Sequence, residues 1–411
     1  MTLHGNSFSL EVLWSTEIIG APPGSWEFET GLTVGAQSLL PDGRILWLGN
    51  DFAPSSYTQT LLVDAEHNRA DRSVILKLEG CPVPLPPPNL FERLLALPGA
   101  RLRPTRIPQK PVVTTLAVAP GGEIWVAGSS NHYMDLASYR HSDAYLARID
   151  ETGRPLWEKT YGDGSRRRIR RIAPMASGNL AVAGSDRREG WLAMVDPNGQ
   201  QLWELRLGND QDNAVAAISE DRLVVVGFET TGSGATKDFQ QHATAWTVDV
   251  SGTILAKTRI RNPINRPPHS YFGRIWVAET RDCVYIASSW RDHSFALPVE
   301  VTKMHPDGSL LWKTTLPDTL KAVGSPTLAI TPSGNAIIAC ALDHILIYQL
   351  NGSTGSYRES NLPFPECQST VSPDLFLAVR RDGTMILSGS PPFGNSGTSC
   401  TWIGRLTEIS Q

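Results

Sequence analysis

The side chains of this chain best suited to chemistry form a dense run of arginines, Arg166 to Arg171, interrupted only by Ile169. A guanidinium presents paired N–H donors that match the two oxygens of a carboxylate or phosphate, so such a run can grip an acidic surface as lysine does not. The alternative is a strand whose arginines simply point into solvent. The arginines predicted to contact a partner are Arg166, Arg167, Arg168, Arg170, Arg187 and Arg188.

Further candidates lie in irregular stretches, at 131–142, 230–242, 261–271 and 390–399. These stretches carry aromatic, arginine and histidine side chains. Such side chains on loops are typical of a recognition surface, because a rigid scaffold holds loops that are free to vary. The additional residues predicted to contact a partner are Tyr133, Tyr139, Arg140 and, from a Pro-rich insert, Phe91.

No local motif for catalysis, a cofactor or a metal is found. The stretch 209–213 lacks the frame and the final Glu of an EF-hand loop, and the nine histidines show no zinc-binding spacing. A G-x-S-x-G elbow and a phosphate-binding loop are absent as well. The sequence therefore predicts no catalytic residue, no cofactor and no metal site, although a site assembled from distant parts of the chain leaves no local motif.

The composition excludes several classes of protein. The 411 residues include 35 Gly and 30 Pro, and the formal net charge is −4. This profile does not fit a disordered, collagenous or coiled-coil chain, and the charge balance predicts neither a nucleic-acid nor a membrane partner. There is no apolar run of membrane-spanning length and no secretory signal, and the five scattered cysteines show no metal-type pair. Free thiols in the cytoplasm are expected.

A repeat must position these residues, and its clearest copies read as β-hairpins. The segment Tyr145 to Trp157 returns as Trp191 to Trp203, with looser copies at 245–255 and 301–312. Each copy is an alternating apolar run, a turn ending in Gly, and a second alternating run. The turn Asp is suited to bond the backbone two residues on, and Gly supplies the positive φ. The equivalent tryptophans Trp157, Trp203 and Trp312 are predicted to pack the core.

A second element recurs seven times as a turn followed by a short apolar strand that ends on small residues, as in Pro120 to Gly128 and Ser177 to Gly184. Seven copies in 411 residues give about 59 residues each, and four strands per unit at that period are typical of propeller blades. Small residues at the strand ends are expected where neighbouring blades approach closely. The predicted fold is all-β, a single seven-bladed β-propeller domain over residues 1–411.

Ring closure and one insert complete the predicted architecture. Because a propeller must close its ring or leave open sheet edges, the segment 400–406 is predicted to pair with Glu11 to Glu17 and complete blade one. Residues 80–111 are an insert within blade two, in which Asn89 is suited to cap a short helix. This insert either reaches a partner or covers the mouth of the central channel.

The hairpin copies resemble those of bacterial β-propeller repeat proteins, the quinoprotein-like and WD40-like grouping. The resemblance is tightest over about residues 140–230 and looser towards both ends. It implies a seven-bladed scaffold, and the dedicated cofactor residues of pyrroloquinoline quinone enzymes are not found, so it implies no chemistry. The residues that carry the resemblance are Asp150, Gly153, Trp157 and Gly162, repeated as Asp196, Gly199, Trp203, Gly208 and Asp212.

Two classes of function stay open from the sequence. The first, which we favour, is a non-catalytic protein that binds a partner protein with an acidic patch through loops on one face. An inhibitor or a toxin-neutralising immunity protein is one form of that class. The alternative is a propeller enzyme, a hydrolase or lyase, with an active site at the central channel. Titratable side chains that converge at the axis with displaced pKa values would favour the enzyme.

Overall fold

The protein is all-β in a computed structural model, and the predicted fold class is confirmed at that level. Among the residues that the structure describes, no helix is long and apolar enough to cross a membrane. The insert at 80–111 and its predicted helix lie outside the described residues, apart from Pro111. The structure describes residues 2–4, 8–18, 32–42, 44–53, 56–64, 70–75, 78, 111–131, 142–162, 167–186, 189–208, 214–219, 221–231, 240–260, 272–280, 282–291, 296–316, 326–341, 344–364, 374–390 and 399–409.

Six four-stranded antiparallel sheets follow one another along the described chain, each with sequential strands as neighbours. Alternating side chains and tight Gly turns favour this meander over any helix. The strands are β3 (Leu32–Leu39), β4 (Ile45–Ala53), β5 (Ser56–Asp64) and β6 (Ala70–Ile75) in sheet 1; β7 (Val112–Val118), β8 (Ile124–Asn131), β9 (Ser142–Ile149) and β10 (Pro155–Tyr161) in sheet 2; β11 (Arg167–Pro174), β12 (Leu180–Asp186), β13 (Glu189–Val195) and β14 (Gln201–Leu207) in sheet 3; β15 (Ala214–Ser219), β16 (Arg222–Thr231), β17 (Gln240–Asp249) and β18 (Ile254–Arg259) in sheet 4; β19 (Phe272–Glu279), β20 (Val284–Arg291), β21 (Ala296–Met304) and β22 (Leu310–Leu316) in sheet 5; and β23 (Thr327–Ile330), β24 (Ala336–Ala341), β25 (Ile345–Leu350) and β26 (Tyr357–Leu362) in sheet 6.

A further, five-stranded sheet joins the two ends of the chain. In spatial order, sheet 7 contains β27 (Asp374–Val379), β28 (Met385–Ser390), β29 (Ser399–Glu408), β2 (Phe8–Ile18) and β1 (Thr2–His4). Glu11 pairs with Arg405 and Glu17 with Cys400, which is the pairing that the sequence predicts. The sheet that this pairing completes is nevertheless the last and not the first. Sheet 1 obtains all four of its strands from residues 32–75, so it has no place for β29.

The core lies in layers between neighbouring sheets. One buried cluster joins sheets 2 and 3, for example, and others join sheets 3 and 4, 4 and 5, and 5 and 6. The cluster between sheets 5 and 6 contains Cys283 and Cys340, which are free and buried, as predicted for thiols. Burial raises the pKa of Cys340 to about 12. These sheets therefore pack face to face.

The first strands of the sheets contact one another in series. β3 contacts β7, β7 contacts β11, and the contacts continue through β15, β19, β23 and β27. β27 in turn contacts β3, and across this junction Ser388 Oγ donates a hydrogen bond of 3.2 Å to Gln37 Oε1. The contacts among the first strands are therefore cyclic.

The Asp-x-x-Gly turns have the geometry that the sequence predicts. Between β9 and β10, Asp150 Oδ1 accepts backbone N–H bonds from Thr152 and Arg154, at 2.8 and 3.0 Å. Gly153 has φ 73°, the region that glycine adopts without strain. The corresponding turns of sheets 3 and 4 repeat these bonds. In these three hairpins the aspartate and the glycine of the turn itself therefore fix the conformation of the turn.

Tryptophans of the fourth strands bind the turn of the next sheet. Trp157 Nε1 donates to the Pro197 carbonyl at 3.0 Å, and a Cβ on Gly199 would lie 2.7 Å from the same ring. Trp203 donates to the Val250 carbonyl of sheet 4 at 2.6 Å. The predicted packing role of these tryptophans is confirmed, and the packing joins one sheet to the next.

The small residues that end the second strands are crowded by their own sheet. The prediction placed this close approach between neighbouring blades, and that part is wrong. A β-bulge between Ile169 and Arg171 distorts β11, and a Cβ on Gly184 would clash with the carbonyl oxygen of Arg168. Gly128 has the same environment in sheet 2. The glycine is therefore needed because the bulge brings backbone against backbone.

We expect Gly184→Ala to lower the free energy of unfolding by about 1–3 kcal/mol, since the added methyl group meets backbone that cannot rotate away. The matched control is Gly121→Ala, where the nearest atoms belong to the flexible side chain of Glu123. The control is expected to change stability by less than about 0.5 kcal/mol. Urea unfolding measures both variants, and equal effects would contradict the crowding at Gly184.

Candidate binding site

Every connection of more than six residues between the described strands joins strand ends at the same end of the sheets. In a four-stranded meander, the turns from strand one to two and from three to four lie at one end, which we call the turn end. The connection from strand two to three lies at the opposite end, where strand one begins and strand four finishes. We call this the loop end. The segments that join strand ends of the loop end include 76–111, 132–141, 232–239, 261–271 and 391–398.

The predicted contact residues fall in, or directly beside, segments that join strand ends of the loop end. Arg167, Arg168 and Arg170 are described, are half-buried, and begin β11. Whether the set contacts a partner stays a prediction. The candidates that lie outside the described residues, in segments joining strand ends of the loop end, are Phe91, Tyr133, Tyr139, Arg140, Arg166, Arg187 and Arg188.

Arg167 is bound within sheet 3. Its Nη2 lies 2.9 Å from Asp186 Oδ2 and its Nη1 lies 3.0 Å from Glu204 Oε2. The guanidinium also covers the ring of Trp191, 4.7 Å from the centroid, and the side chain is only 11% exposed. These contacts occupy the donors that a partner's carboxylate would need, so Arg167 holds the sheet together.

Asp186 is the centre of this ion network. Its Oδ2 also receives Arg206 Nη1, at 2.6 Å. Burial raises the pKa of Asp186, but the hydrogen bonds and charges of Arg167 and Arg206 outweigh burial and hold the pKa below its ordinary value of 3.8. Asp186 is therefore ionised at neutral pH, and its charge is balanced within the sheet.

An open cleft of about 350 Å³ lies at the loop end of sheet 4. It is lined by Glu229 on β16, by His242 and Thr244 on β17, and by Lys257 and Arg259 on β18. Antiparallel pairing sets Glu229 opposite His242 and Thr244 opposite Arg259. Because side chains two residues apart on a strand share a face, all five lie on one face of the sheet.

Both oxygens of the Glu229 carboxylate are engaged. Lys257 Nζ lies 2.7 Å from Oε1, and His242 Nε2 lies 3.2 Å from Oε2, with Thr244 Oγ1 at 3.5 Å from the same oxygen. Burial raises the pKa of Glu229, but the hydrogen bond and charge of Lys257, with His242, outweigh burial and hold the pKa below 4.5. Glu229 is therefore an ionised acceptor at neutral pH.

His242 is neutral and incompletely hydrogen-bonded. Burial lowers the pKa of its imidazole below 6.5, and the charge of Arg259 acts in the same direction, against the hydrogen bond with Glu229. The neutral tautomer that satisfies Glu229 carries its proton on Nε2. Nδ1 is buried and has no hydrogen-bond partner among the described residues. The cleft therefore contains a polar atom that a water molecule or ligand must satisfy.

The cleft is better suited to binding than to acid–base catalysis. Glycoside hydrolysis, for example, uses two carboxyl groups, one of them protonated as the acid. The cleft holds one carboxylate, which is ionised and paired with a lysine. Among the residues that the structure covers, no group of three or more His, Cys, Asp or Glu is placed to hold a metal ion.

A carboxyl group with a raised pKa occurs elsewhere, at Glu279. The surrounding protein raises the pKa of Glu279 to about 7, yet its side chain is exposed, so solvent screens much of this effect. No charged group contributes to the shift. Glu279 ends β19 at the turn end, opposite the predicted contact residues. A single exposed carboxyl group does not form the convergent set that an active site requires.

Sequence reasoning missed the cleft, although the repeat contained a signal for it. Counted from the glycine that ends the second strand, Glu229 occupies the place of Asp186 in the preceding copy. Counted along the fourth strand, Lys257 occupies the place of Glu204. The negative charge of Glu204 is thus replaced by the positive charge of Lys257 in the next copy. Such a reversal can be found only by comparing the copies of the repeat with one another.

Comparisons with known proteins support the fold. The family model described as outer membrane protein assembly factor BamB matches residues 142–273, which include the clearest hairpin copies. No curated protein matches the chain.

Solved structures match over the whole chain at low sequence identity. The polysaccharide lyase Uly1 has a TM-score of 0.53 at 9% identity, with 99% of this chain and 100% of the lyase covered. The GH93 α-L-arabinofuranosidase of Fusarium graminearum, solved with arabinobiose, has a TM-score of 0.51 at 10% identity, with 97% and 98% covered. At such identities the likeness shows the fold alone. The family model over residues 142–273, together with the sheet topology, confirms the resemblance to quinoprotein-like β-propeller repeat proteins.

Proposed function

We propose that this chain is a non-catalytic binding protein that holds another protein at the loop end of a β-propeller. The observation that carries the proposal is the separation of the two ends of the sheets. Between the described strands, the turn end has only short turns, whereas the long connections join strand ends of the loop end, and every predicted contact residue falls in or beside a segment that does so. A scaffold that is regular at one end and varied at the other is suited to recognition.

The scaffold in this proposal is a single seven-bladed domain over residues 1–411, with the insert 80–111 in blade two. Support comes from seven sheets among the described residues and from the cyclic contacts of their first strands. The ring would be closed by the strand pairing of β29 with β2 in sheet 7. Such closure leaves only short sheet edges.

The partner is proposed to carry an acidic patch. The arginines around 166–188 and the cations of the cleft give the loop end local positive groups on a chain of net charge −4. The matching family model is named for an assembly factor, which favours an action on another protein. An inhibitor or immunity role in the cytoplasm stays a prediction within this class.

The alternative is a propeller enzyme with its site at the central channel. Two solved structures of similar fold are enzymes, which supports this alternative. Two observations count against an enzyme. The cleft holds one carboxylate, which is paired with Lys257, and Glu279 has no charged group beside it among the described residues. A screen of hydrolase and lyase substrates with the full chain tests it directly.

The test is capture of a stoichiometric protein from the native lysate, followed by titration of variants. We expect a combined variant, Arg166→Ala, Arg168→Ala, Arg187→Ala and Arg188→Ala, to weaken the captured complex by at least about tenfold, because charge-assisted bonds at an interface are worth roughly that much. Arg167 is left intact because sheet 3 needs it.

The control is Arg222→Ala, which removes an exposed arginine at the turn end of sheet 4. Its affinity for the partner is expected to match that of the wild type. Full affinity in the combined variant would contradict binding through this surface. Turnover in the substrate screen, with no captured protein, would favour the enzyme instead.

A further inference from the structure

The cleft of sheet 4 differs from the matching place in sheet 3 in the charges around its carboxylate: Lys257 stands where sheet 3 has Glu204, and His242 stands where it has Glu189. In both sheets a carboxylate lies near the end of the second strand and an arginine lies near the end of the fourth. In sheet 3 the two groups, Asp186 and Arg206, are 2.6 Å apart. In sheet 4 Lys257 bonds Glu229 at 2.7 Å instead, because a lysine stands where sheet 3 has a carboxylate.

Arg259 is consequently left without a carboxylate partner among the residues that the structure describes. Its side chain is exposed and makes no hydrogen bond or ion pair with any residue that the structure describes. With His242 neutral, the charged groups of the cleft are Glu229, Lys257 and Arg259, and they leave one positive charge unbalanced. Arg206, the equivalent arginine of sheet 3, binds the Asp186 carboxylate through Nη1, so an arginine at this position can reach a carboxylate.

A second observation at the same place also indicates a missing group. His242 is buried and lines the cleft, and its Nδ1 has no hydrogen-bond partner among the described residues. Lys257 uses one of its donors on Glu229, and its side chain is about half exposed. Because His242 Nδ1 is unprotonated it needs a donor, such as a water molecule or an N–H group, so the donors that the cleft offers to a carboxylate are those of Lys257 and Arg259.

We propose that this cleft is a carboxylate-binding site, with Arg259 as the bidentate anchor and Lys257 as the second cation. We further propose that the carboxylate is the side chain of an aspartate or glutamate on the partner protein. This second step rests on the proposed function, whereas the carboxylate site rests only on the groups of the cleft. A free small carboxylate has the same chemistry and is the other source to be tested.

The experiment is calorimetric titration of the full chain with two probes, a capped hexaglutamate peptide and succinate. We expect Arg259→Ala to weaken binding of the peptide by at least about tenfold. Arg259→Lys keeps the charge but loses the paired donors, so an intermediate loss is expected. Arg222→Ala, in the same sheet at the turn end, is expected to bind as the wild type does. Thermal unfolding of each variant confirms that it folds, and Arg259→Lys provides the comparison if Arg259→Ala does not.

The outcomes separate this site from the proposed function. Peptide binding that is unchanged in Arg259→Ala, or in Arg259→Lys if only that variant folds, would overturn the site, whatever protein is captured from the lysate. Succinate binding as tight as the peptide, with the same loss in Arg259→Ala, would support the site and overturn the side-chain source. Loss of peptide binding in Arg259→Ala with no protein partner in the lysate would support the site and overturn the proposed function.

Discussion

Deletion of residues 400–411 is expected to abolish soluble folding. β29 is hydrogen-bonded on one side to β28 and on the other to β2, so the deletion opens two strand edges at once. Trp402 and Leu406 are buried in the cluster between sheets 6 and 7, and each contributes about 2–3 kcal/mol through burial. Because native proteins are stable by only about 5–15 kcal/mol, the loss of these two side chains alone, about 4–6 kcal/mol, removes a large part of the free energy of unfolding.

Soluble yield and the cooperativity of urea unfolding, followed by circular dichroism, measure the result. The matched control removes only residues 410 and 411, which follow the last strand. This shorter deletion is expected to leave yield and unfolding midpoint unchanged. A soluble monomer that lacks residues 400–411 and still unfolds cooperatively would contradict closure of the ring through β29.

The hairpins could be predicted because their rules are local. Asp150 accepts hydrogen bonds from the backbone two and four residues on, and Gly153 provides the positive φ between them. The residues of the turn therefore determine its conformation without help from the rest of the chain. The pairing of the C-terminal segment could also be predicted, since an unmatched strand needs a partner. The sequence predicts the wrong sheet for this segment, because β2 reads as the first strand of blade one, whereas β3 fills that place.

The arginine run illustrates what a local pattern cannot reveal. Arg167 was predicted to face a partner, yet it bonds Asp186 and Glu204, which follow it by 19 and 37 residues. Only the folded sheet brings these carboxylates beside it. The cleft of sheet 4 was missed for the same reason, because Glu229, His242 and Arg259 come from three strands separated by a variable connection.

The contrast between sheets 3 and 4 explains why one arginine is structural and another is free. Each sheet has a carboxylate near the end of its second strand, which must be neutralised because it is largely buried. In sheet 3 two arginines neutralise it, and neither is left over. In sheet 4 a lysine neutralises it, which leaves Arg259 available. We therefore expect carboxylate binding at the cleft of sheet 4 to depend on Arg259, and the stability of the folded chain to depend on Asp186 in sheet 3.

Asp186→Asn is expected to lower the free energy of unfolding by about 3 kcal/mol. The Asp186 side chain is 5% exposed, and the substitution removes the negative charge that balances the guanidinium groups of Arg167 and Arg206. Removing one partner of a buried ion pair costs about 3–5 kcal/mol, and the 43% exposure of Arg206 sets the expected value at the lower end. Asp196→Asn is the control in the same sheet. There asparagine can accept the same turn bonds, so a loss under about 0.5 kcal/mol is expected.

The pH dependence of this loss separates the charge of Asp186 from its packing. Because the folded pKa of Asp186 lies below its unfolded value of 3.8, its contribution is present above about pH 4 and disappears as the pH falls through the folded pKa. The difference in unfolding free energy between wild type and Asp186→Asn should therefore be full from about pH 5 to pH 7 and shrink below about pH 4. A difference that stayed constant on acidification would mean that the ionised carboxylate does not hold Arg167. The guanidinium would then be available to a partner, as the sequence first predicts.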